Sequence, residues 1–407
     1  MPVFEDVVRE GHLIDSLILP QVLDDILASE GTHQIVSLEI GHGREDVSRA
    51  TIRIAAETDR QLEQILSMVQ RHGAAPAQAG DARTETVQRD GVLPLDFYST
   101  TNLESYVRLH GRWVGVAAPE MDCAILVDPE AMTARTVPMI EARRGDQIVV
   151  GRSGIRVVPL ERDRRGRNFE FMTSTVSSEK PKALVVGEVS RLMRSTREAG
   201  QKIIAVAGPA VVHTGSAPAL ARLAREGWVD VVFGGNAIAA HDIEVALFGT
   251  SLGVSVTEGT PVHGGHEHHL RAINRIRAEG GISQAVQAGV LREGLFYELV
   301  KAEVPFVLAG SVRDDGPLPE VITDVIEAQS AMRAHVGDAG LCLMLSTMLH
   351  SIATGNLLPA RVHTVCVDIN PAVVTKLADR GSFQAIGVVT DVGLFLDELA
   401  DRLAEEG

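Results

Sequence analysis

The sequence predicts an α/β chain in which a parallel sheet over residues 169–407 follows a small α+β module (1–92) and a small β domain (93–168). Three observations lead there. From about residue 170, continuous apolar runs alternate with helical patterns, the pattern of strands covered on both faces. Before that point, short apolar runs are separated by Gly, Asp and Pro, which suits closely spaced strands. A chain of 407 residues is also too long for one core, so two or three domains are expected.

Residues 34–73 read as strand, strand, helix. His33-Gln34-Ile35-Val36-Ser37-Leu38-Glu39-Ile40 alternates, and Ala50-Thr51-Ile52-Arg53-Ile54-Ala55-Ala56 follows it. Asp59 is placed to cap a helix whose Leu62, Ile65, Leu66 and Val69 share one face. The module is of ferredoxin-like or amino-acid-sensor type. The β domain is read from the runs at 113–116, 123–127, 147–151 and 155–158, and the charged run 161–167 is an exposed connector. The parallel strands are read at 183–186, 202–207, 229–233, 306–309 and 362–367. The longest apolar stretch, 341–358, contains Ser346, Thr347, His350, Ser351, Thr354 and Asn356, so it is expected as a buried helix and not a membrane span.

Composition excludes several function classes. The net charge of -16 disfavours a polyanion partner, so no nucleic acid is expected. The basic stretch Arg143, Arg144, Arg152, Arg156, Arg162, Arg164, Arg165 and Arg167 reads as a solvated or interface surface. Cys123, Cys342 and Cys366 form no C-x-x-C pair, which suits a reducing compartment. The N-terminus has neither a basic n-region nor an apolar h-region, so a cytoplasmic protein without membrane partner is expected.

In an open parallel sheet, ligands gather beyond the C-terminal strand ends. One strand runs into Gly234-Gly235-Asn236-Ala237 and a helix carrying His241, Asp242 and Glu244. Such a turn serves either tight packing or close approach of backbone N–H groups to a phosphate. The next strand ends in Ala309-Gly310-Ser311-Val312-Arg313-Asp314-Asp315-Gly316-Pro317, a stiff polar loop. Asp368 ends the strand at 362–367, where it either accepts from ribose hydroxyls or caps the next helix. Ser346, Thr347 and His350 interrupt an apolar stretch, and Val388-Val389-Thr390-Asp391-Val392-Gly393 makes a further strand end. No G-x-G-x-x-G fingerprint and no G-x-S-x-G elbow is present. The cluster His263-Gly264-Gly265-His266-Glu267-His268-His269 lacks H-E-x-x-H spacing and reads as a solvated or substrate-facing loop, with no metal expected.

Several long motifs resemble one family. They are 173–181, Gly208-Pro209-Ala210-Val211-Val212-His213-Thr214-Gly215, 235–244, 247–253, 309–319, 347–353 and Cys366-Val367-Asp368-Ile369-Asn370-Pro371. The chain is similar to the LOR/SDH conserved-region family. That family includes the archaeal-type ornithine cyclodeaminases and the C-terminal half of cyanobacterial bifunctional arginine dihydrolase/ornithine cyclodeaminases. The arginine-cleaving half of those bifunctional members is expected to have no counterpart here.

The resemblance implies NAD in a deoxyhypusine-synthase-like domain, which would account for the missing fingerprint. It also implies conversion of L-ornithine to L-proline and ammonia through transient hydride transfer to bound NAD. Carried over by position, cofactor contacts fall on Asn236, Ala237, Asp315, Thr347, Met348, Leu349, His350, Asp368, Asp391 and Val392. A dicationic substrate needs facing carboxylates and a base, for which Asp242, Glu244, Asp314 and Glu258 are candidates, with His241 as proton shuttle. Arg313 or Lys180 would hold the substrate carboxylate. The histidine-rich 265–269 stretch departs from the family pattern and bears on specificity. A homo-oligomer is expected. Two alternatives stand beside this reading: an amino-acid dehydrogenase of lysine/saccharopine type, and a non-catalytic NAD-containing amino-acid sensor.

Overall fold

The computed structural model describes residues 3–11, 13, 18–41, 46, 48–77, 80–158, 176–177, 182–256, 259–260, 262, 265–314, 316–379 and 385–405. The chain divides into two compact units, residues 1–171 with 358–360, and residues 172–357 with 361–407.

The first unit holds two sheets. Strand β1 (Val3–Gly11), helix α1 (Ile18–Ala28), β2 (Thr32–Glu39), β3 (Ser48–Ala56), α2 (Asp59–Arg71) and β4 (Ala75–Pro76) follow in order. Their sheet has the order β2-β3-β1-β4, which is the split β-α-β arrangement of ferredoxin-like modules. Alternation along β3 buries Ala50, Ile52, Ile54 and Ala56 against Val22 and Ile26 of α1 and Ile65 and Val69 of α2. The cap of α2 is Thr58, whose side chain accepts from the Gln61 amide, and not Asp59, which is already helical. An extended Thr58 places its hydroxyl over the first turn.

Strands β5 (Arg83–Thr86), β6 (Glu104–Leu109), β7 (Arg112–Ala117), β8 (Ala124–Asp128), β9 (Thr133–Val137), β10 (Gln147–Val150) and β11 (Ile155–Val158) form a seven-stranded sheet. The expected runs at 113–116, 123–127, 147–151 and 155–158 coincide with four of these strands. The connector at 161–167 lies outside the described residues.

The second unit carries an eight-stranded sheet of order β12-β21-β20-β19-β13-β14-β17-β18. In chain order its elements begin with β12 (Val176–Ser177), α3 (Lys182–Glu198), β13 (Lys202–Ala207), α4 (Ala210–His213), α5 (Ala217–Arg225), β14 (Val231–Gly235) and α6 (Asn236–Phe248). A two-strand hairpin, β15 (Thr250–Ser251) and β16 (Val254–Ser255), precedes α7 (His268–Glu279), α8 (Ile282–Gln287) and α9 (Leu295–Lys301). The chain ends with β17 (Phe306–Ala309), β18 (Val321–Ile322), α10 (Val325–Val336), β19 (Ala339–Leu345), α11 (Met348–Leu357), β20 (His363–Asp368), α12 (Pro371–Asp379), β21 (Ala385–Val389) and α13 (Val392–Glu405).

Every pairing in the eight-stranded sheet is parallel among the described residues. The central run β17-β14-β13-β19-β20-β21 is the doubly wound order. From β13 the chain builds outward to β18, then returns to β19 on the other side of β13. The crevice between β13 and β19 is therefore the topological switch point. All seven residues of β19 are buried, as a central strand covered on both faces requires.

Two expectations are corrected here. Residues 183–186 belong to helix α3, because Val185, Val186, Val189 and Met193 recur at helical spacing and face the core. Residues 341–358 are not one helix: β19 ends at Leu345, Ser346 turns the chain at φ 48°, and α11 begins at Met348. Periodicity cannot separate a fully buried strand from a buried helix in a short apolar run. Among the described residues, no helix is long and apolar enough to cross a membrane.

Candidate active site

Asn236, Asp314, Thr347, His350, Asp368 and Asp391 follow the C-terminal ends of strands in the parallel sheet of the second unit, which lie along one edge. Gly208 follows β13, and its amide donates to the Leu345 carbonyl at 2.9 Å. A Cβ on Gly208 would collide with the Ser346 carbonyl, so only glycine lets β13 and β19 close at the switch point. At the end of β14, Gly235 is extended at φ -114° and offers no side-chain cap to α6. Such a turn suits the approach of a ligand to the backbone at the start of α6. The His350 ring lies over this turn, with Cε1 2.8 Å from where a Gly235 Cβ would stand. Burial holds the His350 imidazole below its ordinary range, and the negative charge of Asp314 opposes this. Asp314 itself accepts from the Ser311 amide at 2.8 Å.

Asn236 is buried, and its Oδ1 accepts from the Leu318 amide at 3.0 Å, pinning the 309–319 loop to α6. Ala237 beside it is exposed. Asp368 Oδ1 accepts from the Asn370 amide at 2.8 Å, while Asn370 is the residue that caps α12. Asp391 Oδ1 accepts from Gly393 at 2.9 Å and Leu394 at 3.1 Å, so it caps α13. Thr347 and His350 are half-buried, Met348 and Leu349 are exposed, and Val392 is buried.

The densest chemistry lies on one face of α6. Glu244 is 0 % exposed, yet its carboxyl is held below the usual range because donors outweigh desolvation. Those donors are His241 Nδ1 at 2.8 Å on Oε2, and Thr250 Oγ1 at 2.9 Å and the Gly253 amide at 3.0 Å on Oε1. The Leu252 amide adds a longer bond of 3.3 Å. Helical spacing of i, i+3 puts His241 and Glu244 on one face. The chain reaches Glu244 again because Gly249, in the left-handed region at φ 67°, ends α6 and turns Thr250 back.

The His241 ring meets His213 of α4 edge-on at a centroid distance of 4.8 Å, and His269 of α7 lies 6.1 Å away. His213 Nδ1 is 2.6 Å from Ser251 Oγ. Burial, with the nearby His241, holds His213 below the ordinary imidazole range. His268 Nδ1 is 2.8 Å from Thr250 Oγ1. The histidine-rich stretch is therefore engaged with the site through His268 and His269 and is not simply solvated. His263 and Gly264 lie outside the described residues, as does the side chain of His266.

Asp242, two residues before Glu244, faces elsewhere. It is 2 % exposed, and its two oxygens accept from the Leu295 and Phe296 amides at 2.8 and 2.9 Å, capping α9. Burial pushes its carboxyl up to about 6 against those two bonds. Asp242 is thus placed as a buried helix cap. Arg313 is exposed on the 309–319 loop. Lys180, Glu258 and Asp315 lie outside the described residues.

His213, Thr250, Ser251 and His268 were not among the expected site residues. His213 lies in the Gly208–Gly215 motif, and its position just after the end of β13 was the available signal. His268 lies within the histidine cluster, which marked the loop but not the residue. Thr250 and Ser251 had only the preceding Gly249 as a cue, since their partners are fixed by tertiary contacts.

Residues 187–399 match the family described as arginine dihydrolase ArgZ-like, C-terminal, Rossmann fold, and residues 104–186 match its C-terminal first region. Residues 4–103 match the LOR/SDH bifunctional enzyme conserved region. The ornithine cyclodeaminase of Methanothermobacter thermautotrophicus is 54 % identical over 399 residues, covering 98 % of this chain and 97 % of the relative. The apo structure of ArgZ, a cyanobacterial arginine dihydrolase, superposes with a TM-score of 0.87 at 42 % identity, covering 100 % of this chain and 59 % of that one. The ternary complex of AgrE, the bifunctional protein of Nostoc sp., with ornithine and NAD+ gives a TM-score of 0.54 at 44 % identity, covering 100 % of this chain and 58 % of that one. The chain thus spans somewhat over half of each bifunctional protein. It belongs to the LOR/SDH conserved-region family of ornithine cyclodeaminases.

Proposed function

We propose that this chain is an NAD-dependent ornithine cyclodeaminase that converts L-ornithine to L-proline and ammonia. The observation that carries this reading is the His241–Glu244 pair, held on the helix that opens at the glycine turn of β14. The relatives named above, and the AgrE complex with ornithine and NAD+, support it.

The residues at this edge fit a dinucleotide. A Cβ at Gly235 would fill the space beside His350, and the first turn of α6 has no side-chain cap among the described residues. The buried Ser351 and Thr390 hydroxyls have no hydrogen-bond partner among the described residues. Asn236, Ala237, Thr347, Met348, Leu349, His350, Asp368, Asp391 and Val392 would hold the cofactor, with Asp315. Bound there, NAD supplies a reversible two-electron acceptor for the substrate α-carbon.

Ornithine enters with two ammonium groups, and each must give up a proton before its nitrogen can react. With Nδ1 bonded to Glu244, His241 keeps Nε2 to accept a proton. Asp314 and Glu258 add negative charge toward a dication, and Arg313 or Lys180 pairs with the substrate carboxylate. The cap geometry of Asp242 supports a structural role for it, with His241 as the proton-accepting group.

Incubating the purified protein with L-ornithine and NAD tests this. Proline and ammonia are expected in equal amounts, without net NADH, and deuterium at the ornithine α-carbon is expected to stay in proline. Accumulating NADH would point to a net dehydrogenase. No product, with a ligand-induced thermal shift, would point to a sensor.

Assembly and location belong to the same proposal. Edge strand β2 exposes Ile35, Val36 and Leu38, which supports a homo-oligomer that light scattering would detect. The three cysteines are free and buried, which supports a reducing, cytoplasmic location.

A further inference from the structure

The hydrogen bonds around Glu244 leave each participant a single role. An ionised carboxylate only accepts, so His241 Nδ1, 2.8 Å from Oε2, is the donor. Thr250 has one hydroxyl proton, and it is directed to Glu244 Oε1 at 2.9 Å. The Thr250 oxygen can then only accept, so His268 Nδ1, 2.8 Å away, must carry a proton. Glu244 stays ionised because its donors hold its carboxyl below the usual range despite full burial.

The backbone reinforces the arrangement. Leu252 at φ 54° and Gly253 at φ 74° form the two-residue turn between β15 and β16, a primed hairpin turn by its positive angles. Both of their amides donate to Glu244, at 3.3 and 3.0 Å. The Phe248 ring stacks on His268 at 4.8 Å and 21°, which restrains rotation of the imidazole. A non-glycine residue held in the left-handed region, as Leu252 is, marks a turn whose shape is imposed by its contacts.

We propose that Thr250 and His268 are positioning residues in a line His268–Thr250–Glu244–His241 that fixes both imidazoles as Nδ1–H tautomers with Nε2 as the basic atom of each. This deepens the reading of His241 as the proton-accepting group and rests on it. The tautomer of a histidine is set by the bond its other nitrogen makes, and here one carboxylate sets two rings. The groups facing His241 are Glu244 on its own helix, His213 from α4 and His269 from α7, with His268 one hydroxyl farther along.

Nitrogen-15 spectra of the ring nitrogens, recorded on the folded protein without ligand, test the line directly. His241 and His268 are expected as Nδ1–H tautomers in the unmodified protein. In Thr250→Val, His268 is expected to become a mixture of tautomers, and kcat for ornithine to fall about tenfold with KM within about twofold. Thr250→Ser is expected to restore both. An Nε2–H tautomer at either histidine of the unmodified protein would overturn the line, and so would an unchanged His268 in Thr250→Val. Nδ1–H tautomers without any ornithine turnover would support the line and sink the cyclodeaminase reading, so the two failures are distinguishable.

Discussion

Asp242 and Glu244 stand two residues apart on α6, both almost wholly buried, and their carboxyls are driven in opposite directions. Asp242 turns toward α9, meets two backbone amides, and is pushed up to about 6. Glu244 turns toward β15 and α4, meets an imidazole, a hydroxyl and amides, and is held below its ordinary range. Burial raises both carboxyls, but it does so against different sets of donors. Glu244 has an imidazole and a hydroxyl among its donors, Asp242 has backbone amides, and the two carboxyls shift in opposite directions.

The contrast can be broken most strongly at Glu244. Glu244→Gln keeps the shape and removes the charge, and ornithine turnover is expected to fall by about 100-fold or more. Turnover within about twofold of the unmodified enzyme would remove Glu244 from the account. At Asp242 the expected effect is on folding. Asp242→Ala leaves two amides of α9 uncapped and is expected to cost about 1–3 kcal/mol in denaturant unfolding.

The pH dependence sharpens the comparison, because the two groups have opposite signs. Asp242 is raised from 3.8 to about 6. Between those values the folded state binds the extra proton, so this contribution to stability is present below 3.8 and is lost as pH rises to about 6, by roughly 3 kcal/mol. Glu244 is lowered from 4.5, so its contribution is present above 4.5 and is lost as pH falls through its folded value. Difference curves for Asp242→Asn and Glu244→Gln against the unmodified protein should therefore slope in opposite directions. Parallel curves would contradict the assignment.

A smaller effect is expected at the glycine turn. Gly235→Ala presses a methyl group toward the His350 ring, 2.8 Å away, and KM for NAD is expected to rise several-fold while the fold is kept.

The doubly wound half of the chain was legible because buried strands leave continuous apolar runs, as at 202–207 and 306–309. The same rule misread Val185 and Val186, where a short apolar run belongs to a helix, and merged β19 with α11 across Ser346. His241 and Glu244 could be paired from helical spacing alone. Asp242 looked equally suitable in sequence, because nothing local shows that α9, more than fifty positions later, needs a cap. Thr250 and His268 were hidden for the same reason: each depends on contacts that the fold creates.

A crystal structure with ornithine and NAD bound tests the central claim most directly. The substrate is expected at the C-terminal edge of the eight-stranded sheet, with an amine nitrogen in hydrogen-bond reach of His241 Nε2. Ornithine bound away from that edge, or His241 turned from it with Nε2 occupied by protein, would contradict the account.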